Sequence, residues 1–132
     1  MQIFLIGIAG MIGALLRYGT GIGLQQAAGD CFPFGTLAAN WAGCLALSWF
    51  NRRGGEMLHL SPSLRNAVGA GLIGSFTTFS TFSVETVEMA ITGRVAGALL
   101  YILASIWGGF FFAWIGWRLG SRRASSEGAD SR

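Results

Sequence analysis

The chain is 132 residues long, 52% hydrophobic and only 11% charged, with a formal net charge of +3. An average soluble domain is about a quarter charged, so this composition excludes an ordinary soluble enzyme and predicts a small polytopic membrane protein. The basic residues are all arginines, set mainly at the ends of apolar runs and in the tail, which speaks for membrane orientation and against a nucleic-acid partner.

Four long apolar runs leave no room for a separate soluble domain. Residues 1–120 read as one all-α transmembrane domain of four helices, and 121–132 as a polar, disordered tail. Cys31 and Cys44 have no metal spacing and Cys44 falls inside an apolar run, so no disulfide framework is expected. His59 is the single histidine and has no partner for catalysis or zinc.

The first span starts near Ile3 and runs into the low twenties, with no basic n-region and no clean cleavage site, so it reads as retained. Gly7, Gly10, Gly13 and Ala14 offer the small face that close helix packing in lipid requires. Arg17 is costly at membrane depth. It either snorkels to the nearer surface or lines a watery vestibule that attracts anions. Gly29-Asp30 supplies turn chemistry, and Pro33 suits the first turn of the next helix.

The second span, Phe34 to Phe50, repeats small residues at Gly35, Ala39 and Gly43, a packing face. Thr36 and Asn40 lie one helical turn apart on one side. Asn40 is either an interhelical tie or part of a polar path. Trp49, Asn51, Arg52 and Arg53 mark a membrane interface, and Gly54-Gly55 is expected to end the helix.

Ser61-Pro62 is an N-cap followed by proline at the first helical position, so a third span begins there and continues to Thr92-Gly93. That is about 30 residues, where a straight crossing needs only about 20. Its middle, GAGLIGSFTTFSTFSVETVE from Gly69 to Glu88, is the wrong material for a plain anchor. Gly69, Gly71 and Gly74 weaken the helix, and the Gly74-Ser75 pair marks the expected break. Ser75, Thr77, Thr78, Ser80, Thr81 and Ser83 then crowd hydroxyls around phenylalanines, with Glu85 and Glu88 beyond. Such groups either bond back to their own helix or line a path for a polar solute. A tight turn at Gly93-Arg94 opens the fourth span, Val95 to Trp117. Tyr101 and Ser105 share a face there, and Trp107, Trp114 and Trp117 read as lipid or interface residues.

Three stretches carry a family resemblance: Gly13-Ala14-Leu15-Leu16-Arg17-Tyr18, Gly35-Thr36-Leu37-Ala38-Ala39-Asn40, and Gly74-Ser75-Phe76-Thr77-Thr78-Phe79-Ser80-Thr81-Phe82-Ser83. In order and over the whole chain they resemble the CrcB/Fluc fluoride channels. The first two motifs are unspecific alone; the TTFSTFS core is highly specific. Ser75 departs from the second glycine usual in the family, which makes the break less pliable.

The resemblance implies an antiparallel, dual-topology homodimer of four-helix subunits in the bacterial plasma (inner) membrane, with the third helix broken. It also implies two fluoride pores and a structural sodium ion held by the backbone carbonyls of Gly74 and Thr77. Phe79 and Phe82 would face fluoride, with Asn40 and Thr36 supporting them. Ser80, Thr81 and Glu85 would continue a polar track, and Tyr101 with Ser105 would add hydrogen bonds. Aromatic edges are positive, so Phe79 and Phe82 could meet a small hard anion without a fixed cation to trap it, while Arg17 concentrates anions at the mouth.

The expected activity is passive fluoride export that relieves toxicity, with no turnover chemistry. A small multidrug exporter is a weaker reading, because the first span offers Arg17 and no acid; a non-transporting accessory protein is another. If the chain crosses four times, Arg52, Arg53, Arg65, Arg118, Arg122, Arg123 and Arg132 share one side and Arg94, with Arg17, the other. That bias favours one orientation, and so keeps a heterodimer with an oppositely oriented relative in view.

Overall fold

Backbone groups in lipid must be satisfied within the chain, and long apolar runs do this by forming helix. The computed structural model describes residues 1–28 and 32–122, and every regular element among them is helical. The turn expected at Gly29-Asp30, Cys31, and the tail from residue 123 onward lie outside the described residues.

Helix α1 spans Gln2–Ala28 and α2 spans Phe34–Trp49. α2 does not stop at Gly54-Gly55 as its glycines suggest. A π-helical stretch, Phe50–Gly54, carries it on into α3, Gly55–Met57. The reason is packing. A side chain on Gly54 would come within 2.9 Å of both the Trp49 and Phe50 rings, so this glycine admits an aromatic cover instead of ending the helix. The stop comes at Leu58 and His59, where His59 takes a left-handed φ of 48°.

The next helical rod begins at α4, Pro62–Asn66, where the Ser61 hydroxyl accepts the Leu64 N–H at 3.4 Å as its cap. A π-helical stretch, Ala67–Ile73, and α5, Gly74–Phe76, continue it. Helical geometry then lapses at Thr77 (φ −82°, ψ 156°) and resumes in α6, Ser80–Ile91. Gly74 and Ser75, where the glycine pattern places the weak point, are themselves helical. α6 closes in a Schellman motif: the Gly93 N–H donates to Ala90 O, the Arg94 N–H to Met89 O, and Gly93 has a φ of 81°. α7 follows, Val95–Arg122.

Among the described residues, three stretches are long and apolar enough to cross a membrane: Gln2–Leu24, Pro62–Ile91 and Val95–Ser121. α2 has 16 residues, about 24 Å at 1.5 Å per residue, short of a ~30 Å hydrocarbon core by itself.

Glycines set the packing. α1 lies against the Ala67–Ile73 stretch, where Gly13 sits on the Leu72 carbonyl and Gly71 on Ile6 O. Within one subunit, Gly7 has nothing within 4 Å. α2 packs most extensively on α7, with Gly108 under the Trp41 indole and Gly116 on the Leu45 carbonyl. Leu37, Met89, Ala98 and Tyr101 form the buried core, and Tyr101 is wholly inaccessible. Ile3, Phe4, Leu15, Trp107 and Phe110 stand exposed on the outside, as a lipid solvent permits.

Candidate functional site

The lapse between α5 and α6 has a specific partner. In an unbroken helix the Thr78 N–H would bond to Gly74 O. Here it donates to Asn40 Oδ1 at 2.8 Å, while Asn40 Nδ2 donates back to Thr78 O at 3.0 Å. One side-chain amide thus takes up both backbone groups of Thr78 from across the bundle. Asn40 is placed for this by α2, whose Gly43 accepts the Thr77 methyl where any side chain would collide.

The Thr78 hydroxyl then organises the start of α6. It accepts the Thr81 N–H at 3.2 Å, donates to Thr81 Oγ1 at 3.1 Å, and lies 3.2 Å from Ser80 Oγ. Arg17 Nη1 donates to the same Thr81 hydroxyl at 3.3 Å. Arg17 therefore turns inward from α1, and its buried Nε has no partner among the described residues. The result is a line of polar groups, Arg17–Thr81–Thr78–Asn40, that connects α1 to α2 through the start of α6.

Two grooves flank this line. One, of about 410 Å³, is lined by Arg17, Tyr18, Thr36, Thr78, Thr81 and Glu85 among others. The second, of about 390 Å³, is lined among others by Asn40, Thr77, Thr78, Phe79, Phe82 and Ser105, and no charged side chain is among the described residues on its wall. Thr78 borders both. It belongs to the TTFSTFS stretch, where the sequence marks it only as one hydroxyl of the cluster and gives it no partner; the signal is its place directly before Phe79.

Phe79 and Phe82 have centroids 5.9 Å apart, and Phe82 continues to Tyr101 at 5.0 Å. Phe79 is 80% exposed and Phe82 is half-buried against the core. Glu85 is held by two neutral donors: Thr36 Oγ1 at 2.8 Å and the Tyr101 hydroxyl at 2.7 Å, one on each carboxylate oxygen. Thr36 and Asn40 thus do point the same way but serve different partners. Tyr101 and Ser105 separate as well. Tyr101 is committed to Glu85, whereas Ser105 Oγ is buried in the second groove without a partner among the described residues. Ser83 bonds back to Phe79 O at 2.8 Å, the ordinary fate of a helical serine.

The carbonyls of Gly74 and Thr77 are both deprived of their usual helical donors. The Thr78 N–H goes to Asn40 and the Thr81 N–H goes to the Thr78 hydroxyl, so what Gly74 O receives is the Thr77 hydroxyl at 3.1 Å. Oxygens of this kind suit a hard cation.

Comparison with known proteins covers the same part of the chain. The "Fluoride-specific ion channel FluC 2" of Geobacillus kaustophilus (strain HTA426) is 49% identical over 112 residues, covering 85% of this chain and 87% of the relative. A "Fluoride-specific ion channel FluC 1" of Bacillus thuringiensis subsp. konkukian (strain 97-27) is 41% identical over 116 residues, 88% of this chain and 85% of the relative. The "Fluoride-specific ion channel FluC" of Acidobacterium capsulatum is 36% identical over 122 residues, 92% of this chain and 98% of the relative. The family profile described as "CrcB-like protein, Camphor Resistance (CrcB)" matches residues 4–117. That match runs from the first turn of α1 well into α7 and takes in both grooves, and the chain belongs to the CrcB-like protein family.

Proposed function

We propose that this chain is a fluoride-selective ion channel of the bacterial plasma membrane, through which fluoride leaves the cell passively. The observation that carries the reading is the Arg17–Thr81–Thr78–Asn40 line, which joins a groove lined by the Arg17 guanidinium to one walled by Phe79, Phe82 and Ser105. Arg17 raises the local anion concentration at the first groove. Hydroxyls and the Asn40 amide replace part of the hydration shell. The positive edges of Phe79 and Phe82 then meet the ion in a groove with no charged side chain among the described residues on its wall to retain it. Ser105, with its hydroxyl uncommitted, supplies a further donor. Nothing in this sequence of steps needs bond-making chemistry.

In this reading α2 with its π-helical extension is a fourth crossing, and α4 through α6 form one crossing interrupted at Thr77–Phe79. Two subunits pair antiparallel as a homodimer. Sodium fits the Gly74 and Thr77 carbonyls, for the reason given by their lost helical donors. A two-fold partner would offer the same pair again, and the ion would neutralise the dipoles gathered on the axis. The heterodimer is a second reading on a specific observation, the excess of arginines that four crossings would put on one side of the membrane.

Phe82→Ile tests the ring mechanism. The purified variant should assemble as a dimer and lose most fluoride flux from liposomes; flux at the unmutated rate would contradict it.

A further inference from the structure

The ion pathway uses Arg17 but leaves the other arginines unexplained. Several of them meet at one end of the bundle. Arg52 lies in the π-helical stretch after α2, and its guanidinium carbon is 4.9 Å from the centre of the Trp117 ring on α7. Its stem rests on Gly120, where an added side chain would come within 2.7 Å of Arg52 Cγ. Arg118 is placed in the same way, its guanidinium carbon 4.9 Å over the Trp114 ring, one turn back on α7. From α4, Arg65 donates to Asn51 O at 3.1 Å, which brings a third guanidinium to this end. Glu56, on α3, is the one carboxylate on residues 50–66.

A guanidinium held over an indole face by cation–π attraction still has N–H groups with which to donate. Tryptophan with arginine is also the composition of the membrane–water interface, where lipid phosphates lie. We propose that this end of the protein, built on Arg52, Arg118 and Arg65, is a binding surface for the headgroups of anionic phospholipids. The π-helical turn and Gly120 together put Arg52 onto Trp117. Both guanidiniums share the face of α7 that carries Trp114 and Trp117.

The test is native mass spectrometry of the full-length purified protein with phosphatidylglycerol and phosphatidylcholine of matched acyl chains. Phosphatidylglycerol should be retained preferentially. Arg52→Gln with Arg118→Gln should lower that preference by roughly fivefold per arginine removed, while Arg94→Gln at the other end should not. Equal retention of the two lipids, or a double variant that keeps the preference, would overturn the proposal. So would displacement of the lipid by excess inorganic phosphate, which would make this a general anion site. Should the glutamine variant not fold, Arg52→Lys with Arg118→Lys keeps the charge and loses the planar fork. It should lose part of the preference, and an unchanged one would overturn the role given to the two guanidiniums. Lipid retention is read without fluoride, so the outcome is independent of conduction.

Discussion

Asn40 makes the sharpest demand of any single residue. Its amide takes one hydrogen bond from the Thr78 backbone and returns another. Asn40→Ala would leave both groups unpaired in a half-buried site, at a cost of about 1–3 kcal/mol for an unsatisfied group. The expected outcome is a lower melting temperature in detergent together with lost flux. Asn40→Asp keeps the acceptor for the Thr78 N–H but loses the donor and adds negative charge in the second groove. It should therefore fold better than Asn40→Ala and conduct no better, a split that melting and liposome flux read separately. Asn40 was legible as an intramembrane amide, and Phe79 and Phe82 as rings among hydroxyls. Thr78 was not, because its importance comes from a partner 38 positions away that no local pattern announces.

Among the elements, the glycines of α1 make a paired prediction. Gly13 abuts the Leu72 carbonyl, whereas Gly7 has nothing within 4 Å. Gly13→Val should push α1 off the Ala67–Ile73 stretch and cost about 1–3 kcal/mol, the usual range for overpacking. Gly7→Val meets nothing within its own subunit and should cost less than Gly13→Val. A similar loss from both would mean that α1 packs by another face. The sequence pattern treats these glycines alike, since spacing cannot say where a packing face ends. The Ser61 cap, the Gly93 turn and the small face of α2 were readable, because each rests on local chemistry. The two π-helical stretches were not readable. Nor was the shift of the irregular segment from Gly74-Ser75 to Thr77, because Asn40 and the Thr78 hydroxyl capture the donors that would otherwise extend the helix.

For the whole molecule, the proposed assembly is tested at the Gly74 and Thr77 carbonyls and through the arginine bias. Replacing sodium with a bulky organic cation should destabilise the dimer or stop conduction, and no change in either would count against a structural sodium ion. Orientation can be read by labelling tail cysteines from each side of intact cells expressing this chain alone. A homodimer predicts labelling from both sides. Labelling from one side only, with no fluoride flux, would point to an oppositely oriented relative as the missing partner.

The central claim is that this chain conducts fluoride, and efflux from liposomes loaded with potassium fluoride and reconstituted with the purified protein tests it most directly. With valinomycin present to balance charge, fluoride should leave rapidly, and liposomes loaded with chloride should retain their contents. Fluoride release no faster than from protein-free liposomes, or chloride released equally well, would contradict the account.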